Sequence, residues 1–223
     1  MDNINLFPLY LSFCVSLSST VISLVIGLPI AYFLSSKRGR VVNFLDTLTS
    51  LPIVLPPTVL GYYLLVLLGR QSPIGQFLED TFGFMLVFTP LGVVIAATIV
   101  SIPYLIKTSK TAFLEINEDY LNAARLLGRN ELSIFMTIII PISWRGIVAG
   151  LTMCFMRALG DFGTTLMVGG NIPGQTTTMP IAIYNALQAG NKDMANVLVL
   201  IMTGIAVIVL FVINSMEQKA RRG

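Results

Sequence analysis

The sequence predicts an all-α protein, a polytopic transmembrane helix bundle of about five spans with its N-terminus outside the cell and its C-terminus in the cytoplasm. Three observations carry this. The chain is 55% hydrophobic and only 11% charged, with a mean hydropathy of +0.82, which lies outside the range of soluble globular domains. Apolar runs long enough to cross about 30 Å of hydrocarbon, a length that takes roughly 20 helical residues, fall at about 9–34, 44–68, 85–106, 141–161 and 195–214. The basic residues also gather on alternate connections. Lys37, Arg38 and Arg40 follow the first run, Lys107, Lys110, Arg125, Arg129 and Arg145 surround the third-to-fourth connection, and Lys219, Arg221 and Arg222 end the chain, against Arg70 and Lys192 on the other side.

The first run is longer than the apolar region of a signal peptide, and its positive charges follow rather than precede it, so it stays as a span. Both termini lie a few residues beyond the outer runs, and the expected organisation is one membrane domain over residues 1–223 without internal repeats. Pro29, Pro52, Pro56, Pro57, Pro90 and Pro103 each remove a backbone donor, and in hydrocarbon an orphaned carbonyl is tolerated only beside protein or a water-filled cavity. They are densest in the second run, where Pro52, Pro56, Pro57 and Thr58 are followed one turn later by Gly61. Their clustering points to a broken helix facing a translocation path; the alternative is a kink against neighbouring helices.

Between the third and fourth runs lies a polar segment, residues 115–140, closed by Pro141. Asn117 is an N-cap, Glu118 and Asp119 put acid in a first turn, and Gly128 follows Leu127 where a left-handed C-cap is wanted. Asn130 and Glu131 start a second helix. Ala123, Ala124, Leu126 and Leu127 give the first helix a small-and-apolar surface that a loop bathed only in water has no reason to carry, so a partner is expected to cover it.

Apart from Asp46 and Arg145 near the cytoplasmic ends of their runs, charge within the spans is confined to Arg157 and Asp161, four apart on what reads as one helix. Either they form a structural pair or they serve a gate or anion contact. After them come Gly163, Thr164, Thr165, Gly169, Gly170 and Thr176–Thr178, then a short helix from Pro180 to Ala189 ended by Gly190. This is read as an extracytoplasmic loop that dips back and offers amides and hydroxyls to a passing oxyanion, acting as a lid; the plainer reading is a connecting loop.

Absences narrow the function. The chain has no histidine, which removes imidazole relays and His-ligated metals, and no phosphate-cradling G-x-x-x-x-G-K-[ST] loop, so it does not bind ATP through a P-loop. It holds no paired-carboxylate or nucleophile-base constellation, and its basic residues lack interleaved aromatics, so neither an enzyme nor a nucleic-acid binder is expected. Cys14 and Cys154 sit in apolar runs as small core residues rather than as a disulfide. An ion-driven secondary transporter should show internal repeats and several buried acids, whereas Asp161 stands alone. A scaffolding protein gives no reason for the amphipathic cytoplasmic segment.

The run AARLLGRNELSIFMTIIIP resembles the cytoplasmic E-A-A loop of ABC-importer permeases, with Asn122 where that family usually has glutamate, then Ala123, Ala124, Gly128, Ile138, Ile140 and Pro141 in register. The stretches Leu51–Gly75 and Arg157–Tyr184 resemble the molybdate-type permeases. The resemblance implies a type I importer permease fold in the bacterial inner membrane, working as a homodimer with two ABC ATPase subunits that bind the ATP and magnesium, and with an extracytoplasmic oxyanion-binding protein. It implies molybdate as cargo, with tungstate and sulfate as alternatives. It also implies an ATPase-coupling loop carried by Asn122, Ala123, Ala124, Leu127, Gly128 and Pro141. The expected path or gate residues are Pro56, Pro57, Thr58, Gly61, Arg157, Asp161, Gly163, Thr164 and Thr165.

Overall fold

A computed structural model describes residues 6–222, with side chains described as far as Phe211, so those of Lys219, Arg221 and Arg222 lie outside the described residues. Three long helices form the centre: α1 (Phe7–Ser36), α5 (Pro90–Leu114) and a continuous helix over Glu131–Leu159. That last helix is α7 (Glu131–Ile134), a π turn (Phe135–Ile139) and α8 (Ile140–Leu159). The π turn sits just before Pro141, whose ring would crowd the carbonyl four residues back in a regular helix, and Ile140 N–H accordingly bonds Phe135 O.

Close approach of these helices comes from small residues. On α1, Ser12, Ser16, Ser19, Ser23 and Gly27 recur every three or four residues and share one buried face, where Ser19 donates to Val94 O of α5 (3.2 Å) and a side chain at Gly27 would press on Ile102 and Leu105. On α8, Gly146 and Gly150 stand four apart against Ala112, Thr108 and Leu105 of α5. An apolar core fills the end of the bundle where α1 leaves, with Leu34, Leu105, Phe113, Ile134, Phe135 and Cys154 among its buried members. Both cysteines are free.

The second run is not one straight helix. α2 (Arg40–Val54) and α3 (Pro57–Leu68) meet at Leu55–Pro56 with a bend of 115°, and the five-span reading holds if this pair counts as one span. Pro57 occupies the first turn of α3, where its missing N–H costs nothing.

Other boundaries also move. The third run starts at Pro90 rather than 85, because Thr89 caps the helix by accepting from Gly92 N–H (3.2 Å) and Pro90 opens its first turn; Pro90 interrupts no helix. It continues past 106 to Leu114 because Lys107 and Lys110 meet Asp46 of α2 at 3.5 and 3.0 Å. The fourth helix starts at Glu131 rather than 141 and stops at Leu159, before Asp161. α4 (Pro73–Phe82) and α6 (Glu118–Leu126) are short connectors. α9 (Gly163–Gly169) and α10 (Met179–Gln188) lead into α11 (Lys192–Arg222), which packs on α10 and lightly on α8.

The charge asymmetry gives a topology test. A reporter fused after Arg40 should report cytoplasm, and one inserted at exposed Gln175 should report the outer side. Cytoplasmic reporting at Gln175 overturns the five-span orientation.

Candidate functional site

The two helix interruptions lie against each other. At Gly163, the first residue of α9, an added Cβ would fall 3.0 Å from Pro57 Cβ and 3.2 Å from Thr58 N, and at Gly61 it would fall 2.7 Å from Met167 Cβ and 3.1 Å from Thr164 Cα. Thr164 Oγ1 donates to Pro57 O at 3.0 Å. These contacts bind α3 to α9, with glycine needed where the backbones approach most closely. Pro56, Pro57 and Thr58 remain exposed, so the broken backbone of the second span borders space outside the subunit.

Asp161 does not share a helix with Arg157. α8 closes at Gly160, whose N–H still reaches Met156 O (3.1 Å), and Asp161 stands in the connection to α9. The pair forms nonetheless: Arg157 Nη1 lies 3.1 Å from Asp161 Oδ1, while Asp161 Oδ2 accepts from Thr165 N–H at 2.9 Å. The carboxylate side chain is fully buried and that of Arg157 is 24% exposed. Asp161 therefore does two jobs, neutralising Arg157 and satisfying a first-turn amide of α9.

The cytoplasmic segment takes the expected form of helix, glycine turn, helix. Asn117 accepts from Asp119 N–H (2.9 Å) to start α6, Gly128 turns with φ +76°, and Asn130 accepts from Ser133 N–H (2.7 Å) to start α7. Of the small-and-apolar residues only Ala124 is buried; Ala123 is exposed, and Leu126, Leu127 and Leu132 are 90%, 83% and 67% exposed. Leucines so displayed on a polar connector make an uncovered apolar patch. Asn122 accepts from Arg125 (Nη1, 3.1 Å), and the neighbouring Glu131 carboxylate raises the Arg125 pKa above its ordinary value.

Residues 23–222 match the family described as the binding-protein-dependent transport system inner membrane component. The chain belongs to this family. Over 203 residues the permease is 37% identical to the molybdenum transport system permease protein ModB of Escherichia coli (strain K12), covering 91% of this chain and 89% of that one. Over 197 residues it is 36% identical to ModB of Azotobacter vinelandii, covering 88% and 87%. The inward-facing MetNI methionine ABC transporter superposes with a TM-score of 0.76 at 16% identity, over 97% of this chain and 95% of that one. This likeness assigns the permease the type I ABC importer fold, and the family places it in the inner membrane.

Within the permease the threonine-rich stretch differs from expectation. Thr164, Thr165, Thr176, Thr177 and Thr178 are buried rather than presented to a passing anion. Thr165 donates to Asp161 O, Thr176 accepts from Ile172 N–H, and Thr177 donates to Asn171, whose amide pairs reciprocally with Asn185 of α10 at 2.9 and 3.0 Å. The hydroxyls of Thr164, Thr165, Thr176 and Thr177 are thus engaged within the subunit, while that of Thr178 is buried without a partner among the described residues. Met179 N–H also donates to Ser12 Oγ of α1 (2.8 Å), so the segment is fastened down at both ends. Two features of the permease escaped the sequence reading. The Gly146–Gly150 spacing was legible as a small-residue motif, whereas the bond from Tyr32 to Glu131 spans 99 residues and no local pattern announces it.

Proposed function

We propose that the permease carries molybdate into the cytoplasm by alternating access, as a homodimer joined to two ATP-hydrolysing subunits and served by an extracytoplasmic binding protein. The observation that carries this reading is the identity of 36–37% with molybdenum transport permeases across about nine-tenths of the chain. The exposed Leu126, Leu127 and Leu132 around Gly128 support a docking surface for the ATPase, formed by Asn122, Ala123, Ala124, Leu127 and Gly128, with Pro141 where the helix enters the membrane. Motion of the docked segment passes into α8, which is one helix with α7, and α8 ends at the junction of Pro56, Pro57, Thr58 and Gly61 with Gly163, Thr164 and Thr165.

Electrostatics favour passage over capture. The charge of Arg157 is spent on Asp161, so this guanidinium is not a free cation that would trap a tetrahedral dianion. Selectivity among molybdate, tungstate and sulfate then rests largely with the binding protein. In this reading ATP and magnesium are bound by the partner ATPase, since the chain carries no G-x-x-x-x-G-K-[ST] loop.

Reconstitution in vesicles with the ATPase and binding protein tests the reading. Labelled molybdate should accumulate only with ATP. Gly128→Asp, which strains a left-handed position and adds charge to the docking surface, should insert normally yet lower uptake by about tenfold or more, the equivalent of ~1.4 kcal/mol of lost coupling. Uptake independent of ATP, or driven by an ion gradient, overturns it.

A further inference from the structure

We infer that Tyr32, Glu131 and Arg125 form a positioning hub that ties the cytoplasmic coupling segment to the inner end of α1, so that α1 is moved by the ATPase along with α8. Tyr32 Oη donates to Glu131 Oε2 at 2.6 Å, and Arg125 closes on the same carboxylate through Nε (2.8 Å) and Nη2 (3.3 Å). One carboxylate thus joins three elements: α1, α6 and the helix that starts at Glu131.

The position of Glu131 gives this geometry its consequence. Glu131 is the first residue of the continuous helix Glu131–Leu159, so a contact on its carboxylate holds the cytoplasmic end of that helix. α6, in contrast, buries only Ala124 and reaches α7 through the Gly128 turn, so packing alone holds it weakly. A two-pronged guanidinium–carboxylate contact fixes orientation as well as distance, which a single hydrogen bond does not.

A second contact stands one turn further on. The ring of Tyr32 lies 4.9 Å from that of Phe135 at 32°, and Phe135 meets Phe113 of α5 edge-on at 6.1 Å. Phe135 also opens the π turn, the one segment of this helix whose hydrogen-bond register can shift without breaking the helix. Hydroxyl and ring of Tyr32 therefore grip the helix one turn apart, at its first residue and at the residue where its pitch changes. Such a clamp passes a rotation of α7 to α1 instead of letting the π turn absorb it.

The inference rests on the coupling reading of the segment and is tested separately from it. Tyr32→Phe keeps the ring on Phe135 and removes the bond to Glu131. In vesicles holding the complete transporter, ATP hydrolysis and ATPase association should persist while molybdate carried per ATP falls by about two- to fivefold, the range expected for one half-exposed contact. Glu131→Ala, which removes that bond together with the Arg125 ion pair, should lose at least as much, and adding Tyr32→Phe to it should add nothing, since the Tyr32 bond is already gone. A purely structural role would lower assembly and hydrolysis together and leave the ratio unchanged. Wild-type molybdate-to-ATP ratios in Tyr32→Phe, or additive losses in the double variant, overturn the hub. Unimpaired ATPase association after Leu127→Asp overturns instead the docking surface on which it rests.

Discussion

Gly150→Leu is expected to remove the folded permease from the membrane. Even the first carbon of a side chain at Gly150 would overlap Thr108 Oγ1 and come within 3.0 Å of Leu105 Cδ1 and 3.2 Å of Leu105 Cα. The last of these is backbone and cannot turn aside. The whole leucine can be admitted only by separating α5 from α8, and the same crossing is used at Gly146 against Ala112, so the strain is not local. Overpacking of this kind costs about 1–3 kcal/mol where neighbours can yield and more where they cannot. With no water between the helices to drive association, van der Waals contact at close range holds them, and a shift of one methyl diameter forfeits much of it. Quantitative blotting of membranes should find less than about a tenth of the wild-type level, because ~1.4 kcal/mol already changes a folded fraction tenfold. Gly150→Ala should be milder, and Thr108→Ala should restore part of its loss by removing the overlapping oxygen. Normal levels of Gly150→Leu would show that α5 and α8 do not meet here.

How much of this could be read from residues alone depends on the range of the interaction. The caps at Asn117 and Asn130 and the turn at Gly128 are local chemistry, and they stand where the sequence put them. The spans were legible because hydrocarbon demands long apolar helices, but their ends were not. Hydropathy stops at Lys107, whereas the helix continues because Asp46, 61 residues away, meets that charge. The prolines marked the break at Leu55–Pro56, yet nothing local says that it lies against Gly163 rather than against lipid. The threonines misled for a related reason: hydroxyl-rich composition signals a need for hydrogen bonds and does not say whether an anion or the loop's own backbone will use them. Asp161 was found as a charge and misplaced by two residues of helix, because Gly160 ends α8 and no capping pattern downstream required it to.

Arg157 and Asp161 give the second large effect. If either charge is removed alone, the other is left in a setting where an unpaired ion costs about 3–5 kcal/mol. The two losses are unequal. Arg157→Ala strands a carboxylate whose side chain is fully buried, while Asp161→Ala strands a guanidinium that is 24% exposed but also orphans the Thr165 amide at the start of α9. Asp161→Asn separates these terms, since its carbonyl still accepts from Thr165 while the charge is gone. The membrane level of Arg157→Ala should therefore fall furthest, with Asp161→Asn above Asp161→Ala and the double alanine milder than the sum of the singles. Transport per molecule supplies the other axis. The pair stands where α8 gives way to α9 and where Gly163 touches Pro57, so disturbing it should loosen the α3–α9 junction and lower uptake beyond the loss of protein. Among molecules that do insert, Arg157→Ala is expected to transport far less than Asp161→Ala, because the stranded carboxylate would repel an incoming dianion, whereas the freed and 24% exposed arginine would only slow its release. Equal uptake per inserted molecule in all variants would reduce the pair to a structural fastening, and wild-type uptake by Arg157→Ala at normal membrane levels would end the functional claim for both residues.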